Sequence, residues 1–326
     1  MTKRVHRLSQ LGEFGWLKKL IPRLYWPASL NPHLCIGPGD DAGVLRITPR
    51  RVLVATTDTL VEGIHFERKW FSPRDLGGKL LAVNLSDLAA MGCVKPLAAL
   101  VTVALPGDTS VDSVDKFYRG LRSCAQRWKI GLLGGDTVGS HRDWFVSATL
   151  LGEANPLELV RREGAREGDF IAVLGPLGLA GAGLEALKGG SNPSWAAPLV
   201  EAFRHPQPQL RAGAILGKRR LASSLIDSSD GLEASLRLLA EASRLGVTLD
   251  PASIPVHPAL KRWAQGRRKD PLSYVFQGGE DYALVFTVNP DRWVTVQHLL
   301  PSARKIGRMV AAGRGISLKS YGYAHF

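Results

Sequence analysis

Short apolar runs alternate with polar, glycine-rich clusters along most of the chain, and the spacing within each run separates strands from helices. Val52-Leu53-Val54-Ala55 reads as a buried strand with Thr56-Thr57-Asp58 at its C-terminal end. A helix follows with full punctuation: Ser72 as N-cap, Pro73 at the first helical position, Asp75 completing a capping box, Gly92 past the end. Its apolar stripe of Leu76, Leu80 and Val83 continues at helical spacing to Asp87, which brings a carboxylate into line with the buried face. Such a charge needs a cation or strong donors, unless Asp87 serves as a cap or is partly exposed. A second amphipathic helix is predicted over 111–128, with Val114, Phe117, Leu121 and Ala125 on one face.

Segments 130–133 and 144–151 read as strands, the first ending in Gly134-Gly135-Asp136. The polar, Arg-rich stretch 155–169 marks the predicted boundary between domains 1–154 and 155–326. Beyond it, 170–174 reads as a strand that enters a helix through Gly175-Pro176-Leu177-Gly178-Leu179-Ala180-Gly181. Asp227 to Gly231 opens another helix, carrying Leu232, Leu236 and Leu239. Segment 247–277 reads as loop-rich with several prolines, and 282–287 as a strand. Strands alternating with helices predict an α/β or α+β class.

Composition narrows the function. With 326 residues and 45% hydrophobic content, the chain can build a substantial core. Its three cysteines form no Cys-x-x-Cys pair, its basic start lacks an apolar run behind it, and the run from Leu97 to Leu105 is too short to span a bilayer. A cytoplasmic protein with reduced thiols and no membrane partner is expected. The formal charge of +13 raises the question of nucleic acid. The basic runs Lys218-Arg219-Arg220 and Arg267-Arg268-Lys269 lack interleaved aromatics and any recognisable module, so no nucleic-acid partner is expected.

Against this basic background stand six acidic clusters set among glycines or hydroxyl residues. They are Gly37-Pro38-Gly39-Asp40-Asp41, Thr56-Thr57-Asp58, Asn84-Leu85-Ser86-Asp87, Gly134-Gly135-Asp136, Asp227-Ser228-Ser229-Asp230-Gly231 and Gly278-Gly279-Glu280-Asp281. One Gly-Asp pair is ordinary turn chemistry. Six of them suit a hard, oxygen-seeking cation such as Mg²⁺, which acts through a few carboxylates plus phosphate oxygens. The Gly175–Gly181 turn could cradle an anion at a helix start or simply allow close packing. His65, beside the Asp58 cluster, is either structural or a ligand contact. Gly77-Gly78-Lys79 is followed by Leu80 inside a capped helix, so no P-loop is present. No protein-kinase signature and no nucleophile motif occurs, so covalent catalysis has no support in the sequence.

Taken in order, the motifs resemble one family. Leu11-Gly12-Glu13-Phe14-Gly15, Gly39-Asp40-Asp41-Ala42, the run Thr56 to Phe66, Ala82 to Gly92, Gly134-Gly135-Asp136-Thr137, Asp227-x-Ser229-Asp230-Gly231-Leu232, Gly278 to Tyr282 and Gly322 to Phe326 are similar to those of the thiamine-monophosphate kinases. These belong to the aminoimidazole-ribonucleotide-synthetase-like superfamily. The resemblance implies ATP-dependent phosphorylation of thiamine monophosphate to thiamine diphosphate. It also implies a two-domain subunit and a homodimer whose N-terminal sheets close into a barrel. By position, Asp41, Thr56, Thr57, Asp58, Asp87, Asp136, Asp227 and Asp230 would hold several Mg²⁺ ions. Tyr118, Gly135, Asp136, Arg162 and Ser229 would contact ATP, and His65, Glu280 and Tyr323 the thiamine substrate. Tyr323 stands where a Trp is usual, and Leu179 where the glycine turn often has Asp.

Overall fold

The computed structural model describes residues 15, 17–22, 31–190 and 193–315. Its first sheet contains β1 (Leu34–Ile36), β2 (Gly43–Thr48), β3 (Arg51–Val61), β4 (Gly92–Pro106), β5 (Gly131–Ser140) and β6 (Phe145–Leu159), side by side in the order β1-β2-β3-β6-β4-β5. Helix α1 (Pro73–Ala90) links β3 to β4, and helix α2 (Val111–Trp128) links β4 to β5, the one parallel pair in this sheet. Burial alternates along β3: Val52, Val54, Thr56 and Leu60 face inward. The strand therefore does not stop before Thr56-Thr57-Asp58 but runs through it to Val61. Threonine suits a pleated surface as well as valine does, so the change from apolar to polar was no strand end.

Helix α1 starts as predicted, with Ser72 Oγ accepting the Asp75 N–H at 3.1 Å. Its burial is not a stripe. Residues around nearly its whole circumference are buried, because α1 packs on β3, β4 and β6 on one side and reaches the second sheet on the other. Its crossing with α2 is backbone to backbone: a Cβ on Gly77 would lie 2.1 Å from Phe117 O, and one on Gly120 would lie 1.8 Å from Arg74 O. Only glycine permits that approach.

The second sheet is antiparallel throughout, ordered β8-β10-β7-β11-β9. Its strands are β7 (Phe170–Leu174), β8 (Ala222–Asp227), β9 (Gly246–Leu249), β10 (Leu284–Val288) and β11 (Arg304–Val310). Helices α3 (Leu179–Lys188), α4 (Ala197–Arg204) and α5 (Leu210–Lys218) lie between β7 and β8, and α6 (Leu232–Ser243) follows β8. The proline-containing stretch expected to be loop instead forms β9, α7 (Pro258–Gly266) and α8 (Pro271–Gln277). Each of these two helices has proline at its first position, where the missing N–H costs nothing. Helix α9 (Trp293–Leu299) precedes β11. β6 extends to Leu159, past the expected boundary at 154, so the crossing between sheets is made by 160–169. Among the described residues no helix is long and apolar enough to cross a membrane.

Candidate active site

Three distant segments bring carboxylates together at the junction of the sheets. Asp41 lies in the turn before β2, Asp87 near the end of α1, and Asp227 is the last residue of β8. One carboxylate oxygen from each lies within 4.8 Å of the others. Neighbouring hydroxyls orient them: Thr56 Oγ1 donates to Asp87 Oδ2, and Ser86 Oγ donates to Asp227 Oδ2 at 2.6 Å. The Arg162 guanidinium forks onto Asp41, with Nη2 to Oδ1 at 2.8 Å and Nε to Oδ2 at 3.2 Å. Such planar, bidentate pairing is the strong form of this contact.

Burial and mutual repulsion keep Asp87 and Asp227 from ionising in the ordinary range. Burial first, then Asp41, pushes the Asp227 carboxyl up to about 8. Asp87 is raised well above its usual value by burial and by Asp58, Asp227 and Asp41. Asp58 is raised to about 6 by burial, Asp230 and Glu280, and Asp40 to about 6 by burial and Asp41. Burial works against the charge on Arg162, yet Asp41, Asp40 and Asp227 raise its pKa overall. One guanidinium does not balance so many carboxylates. All the donor atoms are hard oxygens, the set that a small divalent cation takes.

A cleft of about 510 Å³ adjoins this cluster, and its walls include Asp58, His65, Ser229, Asp230, Glu280 and Tyr282. Asp58 connects the two, since it acts on Asp87 and Asp227 on one side and feels Asp230 and Glu280 on the other. The Asp58 N–H is held by Asn84 Oδ1 at 3.1 Å. His65 Nδ1 accepts the Val61 N–H at 3.1 Å, which leaves the ring proton on Nε2. Glu280 and Tyr282 take left-handed backbone, φ 65° and 52°, so β10 starts two residues later than expected. That bend lets Glu280 N donate to Ser229 O at 2.6 Å and Tyr282 N to Ser228 O at 2.9 Å.

The glycine turn at 175–181 already holds an anion of its own. Asp281 accepts the Gly178 N–H at 2.5 Å and the Ala180 N–H at 3.0 Å, at the N-terminus of α3. Burial raises its carboxyl to about 7 despite these donors. Gly181 meets Gly278 closely, a Cβ there coming within 3.0 Å of the Gly278 Cα. Asp281 thus occupies the turn's amides, and the close packing is present as well.

Other predicted residues lie outside the carboxylate set, although Thr57 lines the cleft beside Asp58. Thr57 is on the opposite face of β3 from Thr56, its hydroxyl donating to Ala148 O at 3.1 Å, as the two-residue period requires. Gly135 and Asp136 lie on exposed edge strand β5, where Asp136 Oδ1 accepts the adjacent Thr137 N–H at 2.9 Å. Gly135 is confined to glycine because a Cβ would stand 1.6 Å from Val101 O on β4. Tyr118 is on the outer side of α2, its ring edge-on to Phe117. Tyr323, like the motifs 11–14 and 322–326, lies outside the described residues.

Sequence reasoning missed Lys79. Its side chain is fully buried, with Nζ 2.7 Å from Glu280 Oε2 and 2.9 Å from Phe203 O. A signal was available: Lys79 follows Leu76 by three residues and precedes Val83 by four, so it shares their face.

Fold and site define a class. Residues 39–154 match the family described as AIR synthase related protein, N-terminal domain, and residues 166–318 match AIR synthase related protein, C-terminal domain. Within that class, the thiamine-monophosphate kinase of Mycobacterium tuberculosis is 35% identical over 303 residues, covering 92% of this chain and 88% of that one. That of Aquifex aeolicus is 33% identical over 325 residues, covering 98% and 100%. The chain belongs to the thiamine-monophosphate kinase family. A solved structure described as AaThiL complexed with AMPPCP and TMP superposes with a TM-score of 0.88 at 31% identity, covering 99% of this chain and 100% of that one. Hydrogenase maturation protein HypE, at 21% identity and a TM-score of 0.69, shares the fold alone.

Proposed function

We propose that this chain transfers the γ-phosphoryl group of ATP to thiamine monophosphate, giving thiamine diphosphate and ADP, the last step in making thiamine diphosphate. The observation that carries this reading is the buried Asp41–Asp87–Asp227 set opening into a cleft with His65 and Glu280 on its walls. It stands on a fold shared along its length with a solved structure described as complexed with AMPPCP and TMP.

The residues fit Mg²⁺. Asp41, Asp87 and Asp227 offer converging oxygens, and the raised pKa values of Asp87 and Asp227 show that the set does not carry its full negative charge unaided. Thr56 bonds Asp87 directly, Thr57, Asp58 and Asp230 line the adjoining cleft, and Asp136 would complete the proposed ligands from β5. Bound Mg²⁺ supplies charge neutralisation for both phosphates and for the transferring group.

The chain's own residues position two polyanions. Arg162, Ser229, Gly135, Asp136 and Tyr118 would hold ATP; His65, Glu280 and Tyr323 would hold the thiamine moiety. A phosphate monoester has a second pKa of about 6, so the acceptor is already largely dianionic at neutral pH. It needs no protein nucleophile and little help from a base, which favours direct in-line transfer.

The separation of Asp136 and Tyr118 from the cluster is the reason to invoke a second copy. β5 is an open sheet edge with Leu132, Leu133 and Val138 exposed by 46%, 62% and 46%. An apolar edge of this kind invites pairing. We assign it to a homodimer whose first sheets close together as a barrel, and place the enzyme in the cytoplasm. Coupled ADP release, measured with and without thiamine monophosphate, tests the function. Release that depends on thiamine monophosphate and on Mg²⁺ is expected, and release indifferent to thiamine monophosphate would remove it.

A further inference from the structure

Lys79 and Glu280 form a contact between the two halves of the molecule that the proposed reaction does not itself require. Lys79 projects from α1, which packs on the first sheet, while Glu280 sits in the loop before β10 of the second. The lysine side chain is wholly buried, whereas Glu280 retains 21% exposure and lines the cleft. Nζ lies 4.0 Å from the ring centre of Phe203 and 5.2 Å from that of Phe71, and also bonds Phe203 O at 2.9 Å. Burial lowers the lysine's pKa below its ordinary value, and the Glu280 carboxylate partly offsets this.

The placement is costly for a lysine that serves only stability, since a hydrophobic pair of similar volume often does as well. Its geometry acts on two residues that line the cleft, Phe203 and Glu280, of which Glu280 alone carries a charge. Glu280 is crowded by other acids, with Asp58 close enough to feel its charge and Asp281 adjacent in sequence. Its backbone is already bent into the left-handed region. A fixed cation on Oε2 counters that crowding and holds the side chain in one rotamer, leaving Oε1 for a ligand.

We propose that Lys79 is a positioning residue for substrate selection: it pins Glu280 as an oriented carboxylate facing the cationic ring of the acceptor, and it ties this carboxylate to α1. This rests on the acceptor assignment above for the identity of the ring, but not for the tether itself. Nothing in it bears on ATP, so its effect should divide the two substrates.

The test compares Lys79→Met, which keeps the apolar stem, with Glu280→Gln and the double variant, each in the full-length protein with Mg²⁺. Lys79→Met should raise KM for thiamine monophosphate about tenfold and leave KM for ATP within about twofold, the size expected for losing a charged hydrogen bond. The double variant should be no worse than Glu280→Gln alone, because the lysine acts through that carboxylate. In ligand-free protein, amide hydrogen exchange of 278–282 should rise several-fold in Lys79→Met while α1 keeps its protection. Additive KM effects, or a lowered thermal midpoint with both KM values and loop exchange unmoved, would leave the pair a purely structural one and overturn the proposal. If Lys79→Met did not fold, Lys79→Gln would be read by the same measurements. Wild-type protein that turned over no thiamine monophosphate would remove the acceptor assignment alone, and the exchange measurement would still decide whether Lys79 holds the loop.

Discussion

The carboxylates at the junction of the sheets and the one on β5 come from the same kind of sequence signal, yet they sit in opposite physical situations. Asp227 is 4% exposed, fixed by the Ser86 hydroxyl and pushed up to about 8 by burial and Asp41. Asp136 is exposed, and among the described residues its neighbour's amide is its one hydrogen-bond partner. The first region is assembled from three segments of this one chain. The second has its backbone held against β4 by a glycine and its outer side exposed, and in the homodimer proposed above it is half a site. An acidic motif therefore identifies a ligand without saying which surfaces assemble around it.

That contrast can be broken most sharply by removing one charge from each region. Asp227→Asn and Asp136→Asn should both lower turnover, by about a thousandfold for a ligand that supports phosphoryl transfer. Their stabilities should differ. Without metal at pH 8, Asp227→Asn should raise the thermal midpoint, since it removes a charge the folded state resists, while Asp136→Asn should leave it unmoved. A fall in midpoint for Asp227→Asn, measured by calorimetry, would contradict the electrostatic picture of the cluster.

A second test addresses the open edge. Leu133→Asp places a charge on β5 where the side chain is exposed in the single chain. The variant should stay folded, shift towards monomer by light scattering, and lose activity by at least about tenfold if that edge completes the site. A dimer that persisted with full activity would put the interface elsewhere.

The pH dependence of stability is a smaller effect confined to the buried region. Asp58, raised to about 6, and Asp227, raised to about 8, keep their protons in the folded chain at pH values where the unfolded chain has lost them. Between about pH 4, the ordinary carboxyl value, and pH 8, the folded state holds more protons, so metal-free stability should fall as pH rises. Mg²⁺ should reverse this, with a larger rise in midpoint at pH 8 than at pH 6. An equal rise at both values, in thermal melts with and without chelator, would separate metal binding from these carboxyls. The smallest effect is expected at Asp281. Asp281→Ala frees the Gly178 and Ala180 amides and should cost about 1–3 kcal/mol in denaturant melts.

Much of this arrangement is legible in the sequence because local rules decide it. The start of α1 follows from Ser72 and Pro73, and the proximity of Asp87 to a buried face follows from helical spacing. What the sequence conceals depends on contacts between distant segments. β3 continues through polar residues because β6 pairs with it along that length, and the prolines at 258 and 271 begin helices rather than end structure. The glycine turn reads as an anion cradle or as a site of close packing until Asp281, about a hundred residues later, is brought to its amides. Lys79 was within reach of the same spacing argument that singled out Asp87.

Helix α1 also constrains how the chain can be made. Its buried circumference is covered partly by β3, β4 and β6 and partly by α5 and β8, which are synthesised more than a hundred residues after it. Until α5 and β8 leave the ribosome, the part of that face they cover lacks these partners. The two family domains thus share buried surface along this helix. The N-terminal half must wait, with apolar surface available to chaperones or to other nascent chains, for the C-terminal half to close over it.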